Sequence, residues 1–550
     1  MPDKKSAPLL SLSRRAFALA VVCGGVVLAA CGGDGAPPAV TPTVTALPTP
    51  GPAAIITPTP VVAAEARTVA LGDRAVFYGA DPYDRAAAVV VGDFNGDDIP
   101  DLALASSRAD GPDNARPDAG EVYIFFGPLL RGQTRDLLAG EQDVTIFAAD
   151  SGDEAGRALA AGDLNGDGVA DLVVGAPGAD GPDNSRSGAG EAHVLFGSAG
   201  LPAVIDLGTD GADVAIYGSD AEDSAAFALA VGDVSGDGLA DIVLSSFLAD
   251  GPANARDRAG EVYVVFGSDE LASRIDLEAG EQDVTVYGAQ ADDRLGEVVG
   301  AGDADGDGVA DLVLPAPFAS RAAGETYVIP GGPSLPSLID IAEGGQQTTV
   351  LGLEEGDQVG HSLAVSDADG DGIGDLLLGA VSADGPDNRR DLAGEGFLVM
   401  GRDLPSGVIG AAAGEHGVRF FGGEREDRLG RAVALGDLNG DRLADLLLVA
   451  SGGDGPVAER ADAGELYVYL GSGGLARVVD VASVAPDLTL LGDDEVDILG
   501  SGVFGRPSLL VADMDADGLN DVVVSASGGD GPANDRTDAG EVSIIFVEER

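Results

Sequence analysis

"GDLNGDGVADLVVGAP", Gly162 to Pro177, crowds Asp163, Asn165, Asp167 and Asp171 into nine residues and then turns apolar. Written by position, the stretch is Asp, any, Asn or Asp, Gly, Asp, Gly, apolar, any, Asp. It recurs with its first aspartate at Asp93, Asp163, Asp233, Asp303, Asp367, Asp437 and Asp513, at spacings of 70, 70, 70, 64, 70 and 76 residues. Such regularity marks one supersecondary unit repeated seven times, not seven separate domains.

Each unit carries further landmarks. A short apolar run precedes the acidic loop, as in Arg157 to Gly162, and a second follows it, as in Asp171 to Pro177. A Gly/Pro/Asn-rich turn then leads to a third run, "EVYIFFG" (Glu121 to Gly127) in the first copy, and a fourth ends near "VTIF" (Val144 to Phe147) or "VAIYG" (Val214 to Gly218). Short β-rich runs divided by turn residues predict four antiparallel strands per unit. The repeat region opens on an isolated fourth run, Arg74 to Gly79, and finishes on a third run, Glu541 to Phe546. The two remnants complete one another, which closes a ring and needs no capping ends. The reading is all-β: a seven-bladed β-propeller of four-stranded antiparallel blades, closed by an N-terminal outer strand.

Oxygen donors at positions 1, 3, 5 and 9, with the carbonyl of position 7, suit a hard cation that takes six to eight oxygens. The candidate ligands are Asp93, Asn95, Asp97, Ile99 and Asp101; Asp163, Asn165, Asp167, Val169 and Asp171; Asp233, Ser235, Asp237, Leu239 and Asp241; and Asp303, Asp305, Asp307, Val309 and Asp311. The later copies add Asp367, Asp369, Asp371, Ile373 and Asp375; Asp437, Asn439, Asp441, Leu443 and Asp445; and Asp513, Asp515, Asp517, Leu519 and Asp521. Two carboxylates about 4 Å apart repel by about 4 kcal/mol at an effective dielectric of about 20, so the cluster calls for a divalent partner. Calcium fits better than magnesium, which keeps its waters, or zinc, which prefers nitrogen and sulfur. An EF-hand would need flanking helices and a glutamate at position 12, where the second loop has Val174 inside a strand run.

With Phe77-Tyr78-Gly79, Tyr217-Gly218 and Gly175-Ala176-Pro177 in these places, the unit resembles the FG-GAP repeat of integrin alpha heads and of many bacterial surface proteins. The likeness runs from about Arg67 to Val547. It implies up to seven calcium ions at the loops near the propeller rim, each holding a blade's first strand to its second. Several copies depart from the pattern: Asp98 and Arg442 replace the glycine of position 6, Ser235 is a weaker donor at position 3, and Ala516 replaces the glycine of position 4. The second, fourth and fifth loops should therefore bind best and the sixth worst.

The formal charge of -62, from 93 acidic and 31 basic residues, argues against nucleic acid or anionic lipid surfaces as partners and favours cations. The N-terminus reads as an address: Arg14-Arg15, an apolar run from Ala18 to Ala30, then "LAAC", which resembles a bacterial lipobox with Cys31 as the lipidated residue. The run is short for a spanning helix. Cleavage there would remove Cys23, the other cysteine. The expected organisation is a signal peptide over 1–30, a Pro/Thr-rich stalk over 31–65 and the propeller over 66–550, lipid-anchored at the outer face of the cytoplasmic membrane or the cell surface.

A second motif recurs after the second run: "DGP" at Asp110, Asp180, Asp250, Asp384, Asp454 and Asp530, with an arginine five residues before a glutamate, as in Arg116/Glu121 and Arg256/Glu261; the fourth unit has Arg321/Glu325 instead. An ion pair between these two residues is expected to pin the turn to the third strand; the alternative makes these tips a repeated ligand-contact surface. No serine sits in a nucleophile elbow and no phosphate loop leads into a helix. His193, His361 and His416 fall at different places in the repeat. The expectation is therefore a non-enzymatic calcium-binding propeller presenting an adhesion surface to protein, matrix or envelope ligands. The alternatives are a purely architectural envelope protein and a propeller-based polysaccharide-active enzyme.

Overall fold

A computed structural model describes residues 69–549 except for 412–416, 456–460, 472–475, 493–498 and 501–508. The export signal, Cys31 and the stalk lie outside the described residues, as does His416.

The seven units form seven sheets arranged as the blades of a propeller. In the first blade Ala88–Gly92, Asp101–Ser106, Glu121–Phe125 and Val144–Phe147 run antiparallel from the axis outward. Every residue of the second strand is buried in all seven blades. That is why these strands read as continuous apolar runs such as "DLVVGA": a strand packed on both faces has no polar side to show. The core lies between blades. One cluster joins Phe77, Val523 and Ile544 of the last blade to Leu102, Leu104 and Tyr123 of the first.

The ring closes as the remnants foretell. Val69–Tyr78 pairs antiparallel with Glu541–Glu549, from Tyr78 opposite Glu541 to Val69 opposite Glu549, with an irregularity between Leu71 and Arg74. The closing strand is longer than the expected Arg74 to Gly79.

Every blade has the four expected antiparallel strands, to which most blades add one more. Six blades have a fifth, a three-residue strand that the chain lays parallel to the outer strand of the preceding blade before forming its own: Thr134–Asp136, Val204–Asp206, Arg274–Asp276, Leu338–Asp340, Val408–Gly410 and Val478–Asp480. Val204–Asp206 of the second unit thus lies against Val144–Phe147 of the first. Three residues are too few to show a period of two, so these strands left no pattern to read. Among the described residues the sixth blade has four strands.

Candidate metal loops and the inter-blade clip

Each acidic loop joins the first strand of a blade to its second, and each curls around its own first aspartate. Asp163 Oδ1 accepts the N–H groups of Gly166 and Asp167 at 2.7 and 3.1 Å, and its Oδ2 that of Gly168 at 2.9 Å. Asp93, Asp233, Asp303, Asp367, Asp437 and Asp513 accept equivalent bonds. The N–H of position 7 turns inward to the position-5 carboxylate, as Val169 does to Asp167 at 2.9 Å. Gly166 and Gly168 hold φ of 77° and 86°, and a Cβ on Gly166 would sit 2.9 Å from Leu239 of the next blade. The departures Asp98, Arg442 and Ala516 adopt the same left-handed region at φ of 62°, 71° and 60°, where a side chain is disfavoured.

The position-9 aspartates Asp101, Asp171, Asp241, Asp311, Asp375, Asp445 and Asp521 are buried. Asp171 Oδ2 accepts from Leu164 N–H at 2.9 Å, and its Oδ1 from Gly197 N–H at 3.0 Å, which ties the end of the third strand to the loop. Burial pushes Asp171 up to about 6 and Asp311, Asp375, Asp445 and Asp521 up to about 7. The loops also hold one another, a feature the sequence did not disclose. The N–H of Ala170 donates to Asp93 O at 3.0 Å, Ala240 to Asp163 O at 3.1 Å, Ala310 to Asp233 O at 2.9 Å, Gly374 to Asp303 O at 2.8 Å and Ala444 to Asp367 O at 2.9 Å.

The donor set fits a hard cation. In the fourth, fifth and seventh loops, three carboxylates offer oxygens within 4.8 Å of one another: Asp303, Asp305 and Asp311; Asp367, Asp369 and Asp371; Asp513, Asp515 and Asp521. At position 3, Asn95 Oδ1, Asp369 Oδ1 and Asp515 Oδ1 are buried without a hydrogen-bond donor, and a buried acceptor in that state is costly. Two loops carry an arginine as well. Arg131 reaches across from the first unit to the seventh loop, with Nε 2.8 Å from Asp515, Nη2 2.8 Å from Asp517 and Nη1 2.6 Å from Glu548. Arg402 bonds Asp369 and lies 3.3 Å from Asp371 in the fifth loop.

The arginine of the "DGP" turn does not bond the glutamate five residues on. Arg116 instead grips Asp206 of the next unit's donated strand with Nη1 at 2.7 Å and Nη2 at 2.9 Å, and its Nη1 also donates to Ala148 O. Arg186 with Asp276, Arg256 with Asp340, Arg390 with Asp480 and Arg536 with Asp136 repeat the clip, the last across the closure of the ring. Arg460 lies outside the described residues. Where the fourth unit lacks the arginine, the strand facing it ends in Gly410 rather than aspartate; clip and counterpart are missing together. The glutamates have other partners: Glu121 and Glu261 accept from Tyr123 and Tyr263 at 2.5 Å, and Glu395 from Arg419 at 2.6 Å. Arg321 pairs with Glu355, not Glu325. His193 stands where sister blades have tyrosine, 3.5 Å from Glu191, and burial pushes it down to about 4.

Five stretches, residues 86–125, 155–195, 295–329, 429–469 and 506–545, match the FG-GAP repeat. This chain carries FG-GAP repeats. The resulting seven-bladed propeller has integrin alpha relatives: integrin alpha-PS2 of Drosophila melanogaster is 30% identical over 219 residues, 38% of this chain and 14% of the integrin. Integrin alpha-V of Gallus gallus is 27% identical over 277 residues, 50% of this chain and 24% of the integrin. Human phosphatidylinositol-glycan-specific phospholipase D is 29% identical over 392 residues, 68% of this chain and 43% of the phospholipase. The FG-GAP chain thus spans less than half the length of that relative. The phospholipases overturn the expectation of a non-enzyme, because four proteins named for an enzymatic activity match over 68 to 75% of this chain. A nucleophile elbow or a phosphate loop marks a catalytic centre of its own kind, and kinship to an enzyme needs neither. Among the described residues no helix is long and apolar enough to cross a membrane.

Proposed function

We propose that this FG-GAP propeller is a calcium-stabilised module that works outside the cell and presents a binding surface to protein, matrix or envelope ligands. The observation that carries the metal reading is the convergence of Asp303, Asp305 and Asp311 within 4.8 Å, together with the buried, donorless position-3 oxygens of the first, fifth and seventh loops. In each loop the side chains of positions 1, 3, 5 and 9 would hold the ion, with the position-7 carbonyl completing the set. Bound calcium would supply the positive charge that these carboxylates lack and stiffen the joint between the first two strands. Extracellular sites bind with dissociation constants of about 10⁻⁴ to 10⁻³ M. At free calcium about tenfold above that, each site would contribute about 1.4 kcal/mol. Elemental analysis of the purified chain and its melting temperature in millimolar calcium against EDTA test the reading; absence of metal with an unchanged melting temperature refutes it. Affinity capture from envelope or matrix extract, with and without chelator, tests the ligand role.

The residues before 69 complete this reading. An export signal over 1–30, lipidation of Cys31 and a stalk over 31–65 would hold the propeller off the membrane. Mass spectrometry of the mature N-terminus reads this directly, and an unmodified or retained leader refutes it.

The phospholipase relatives favour a second reading, in which the chain takes part in hydrolysis of phosphatidylinositol-glycan. Incubating the full chain with a phosphatidylinositol-glycan-anchored protein in detergent, and measuring its transfer to the aqueous phase, decides that reading.

A further inference from the structure

Six blades have their outer strand covered, and the cover follows one rule. The N–H of the second residue of the outer strand, or its equivalent, donates to the residue just before the donated strand: Thr145 to Ala203 O at 3.0 Å, Ala215 to Ser273 O at 3.1 Å, Thr285 to Ser337 O at 3.0 Å and Thr349 to Gly407 O at 2.7 Å. The carbonyl at the far end accepts the return bond, Phe147 from Leu207 at 2.9 Å and Leu351 from Ala411 at 2.8 Å. Under this cover Val144, Thr145 and Ile146 are buried.

In the sixth blade Leu488–Leu491 pairs on its inner side with Glu465–Tyr469, and among the described residues no strand lies along its outer side. Thr489 faces Tyr467 as Thr145 faces Tyr123, so its N–H occupies the position of the donor and Leu491 C=O that of the acceptor. Thr489 is exposed and Leu488 and Leu490 are half-buried, where the covered blades bury the counterparts of the two leucines, such as Val144 and Ile146, Val284 and Val286, and Val418 and Phe420. Val69 to Leu71 pair with Val547 to Glu549 and so extend the closure; residues 65–67, which stand to Ala75 as Thr134–Asp136 stands to Val144, lie outside the described residues. An edge with an unmet ladder invites a strand.

The molecule itself shows what fits. Four of the six donated strands read Val-Ile-Asp, Arg-Ile-Asp, Leu-Ile-Asp and Val-Val-Asp, while the other two, Thr-Arg-Asp and Val-Ile-Gly, each keep part of the pattern. The first residue is exposed (Val204 at 57%, Leu338 at 59%) while the middle one is buried (Ile205 at 7%, Ile339 at 3%). The aspartate caps the turn that carries the chain away, as Asp340 accepts from Ala342 N–H at 3.0 Å. We infer that the outer edge of the sixth blade is a docking site for an extended segment of a partner protein, with Ile or Val followed by Asp, added as a parallel fifth strand. The inference stands independently of calcium and of the activity of the chain.

The test uses a fluorescein-labelled peptide with the sequence of residues 337–345, titrated into the full chain and read by anisotropy. Saturable binding of one peptide per chain is expected, weakened at least about tenfold by Ile339→Asp in the peptide, as loss of one buried aliphatic side chain implies. Thr489→Pro in the protein should abolish binding with little change in melting temperature, since an edge proline with its nitrogen facing outward is tolerated. Should that variant unfold, a photo-crosslinker in place of Leu338 of the peptide should label residues 486–492 of the unaltered chain. Absence of binding, equal binding of the Ile339→Asp peptide, or labelling elsewhere overturns the inference. So does dimerisation of the chain that Thr489→Pro removes, which would assign the edge to a second copy.

Discussion

Arg256 and Asp340 show how a single repeated pair can join one blade to the next. The guanidinium forms two bonds of 2.7 Å to the carboxylate and a third of 2.8 Å to Gly288 O, with the side chains 23% and 18% exposed. Breaking such a pair from one side leaves a half-buried charge, so Arg256→Ala should cost about 2 to 3 kcal/mol in denaturant unfolding, below the full buried-pair range because water still reaches the site. A double-mutant cycle with Asp340→Ala should return a coupling of about 1 to 2 kcal/mol. Buried acids give a second prediction. Burial, with neighbouring carboxylates, pushes Asp84 and Asp223 up to about 7, and burial pushes Asp153, Asp293 and Asp427 up to about 6. The folded chain therefore binds protons more readily than the unfolded chain between about pH 4 and 7, and stability falls as pH rises through that window. Asp206, Asp340 and Asp480 act in the opposite sense. Hydrogen bonds from their arginines hold them below the usual carboxylate value, and their contribution is lost as pH falls beneath it. In EDTA, the melting temperature should rise from about pH 7.5 to about pH 5 and then drop below about pH 4. The arginine was legible as a periodic residue but its partner was not: in a strict repeat, Arg116 keeps a fixed distance both from Glu121 and from Asp206, 90 residues on. Only the joint absence of arginine and aspartate around Gly410 separates the two.

The acidic loop is the element that sequence describes best, because its function resides in residue types at fixed offsets and its glycines are set by local backbone geometry. What sequence could not supply is whatever stands opposite the loop. Arg131 lies 384 residues from Asp515 in the chain, and Arg402 lies 33 from Asp369, yet both bring a positive charge against position-3 carboxylates. The expected ranking placed the fifth loop among the best because its pattern is intact; under the calcium reading the fourth loop, with its cluster and no arginine paired to it among the described residues, should bind more tightly than the fifth. Arg402→Gln should raise the affinity of the fifth loop by about tenfold, the effect of removing about 1.4 kcal/mol of competition from a partly exposed cation. Calorimetric titration with calcium measures this; an unchanged isotherm would show that the guanidinium and the ion do not compete. The donated strands were invisible for a different reason, since three residues carry no periodicity and their partner belongs to another blade.

At the scale of the whole molecule, closure rests on Val69–Tyr78 and on the clip between Arg536 and Asp136. Phe77 is fully buried and meets Phe125 edge-on at 4.8 Å between ring centres, so it anchors the last blade to the first. Phe77→Ala should cost about 3 to 5 kcal/mol in denaturant unfolding. If unfolding is cooperative around the ring, circular dichroism and calorimetry should then report the same lowered midpoint. The pairing of Val69 with Glu549 has one more consequence. Antiparallel neighbours lie about 5 Å apart, so a few residues of linker would join 549 to 69 and let the chain be opened elsewhere. A circular permutant cut at an exposed turn such as Gly208–Asp210 would keep every donated strand and every clip among the described residues, turning the seam into one more ordinary corner of the circle.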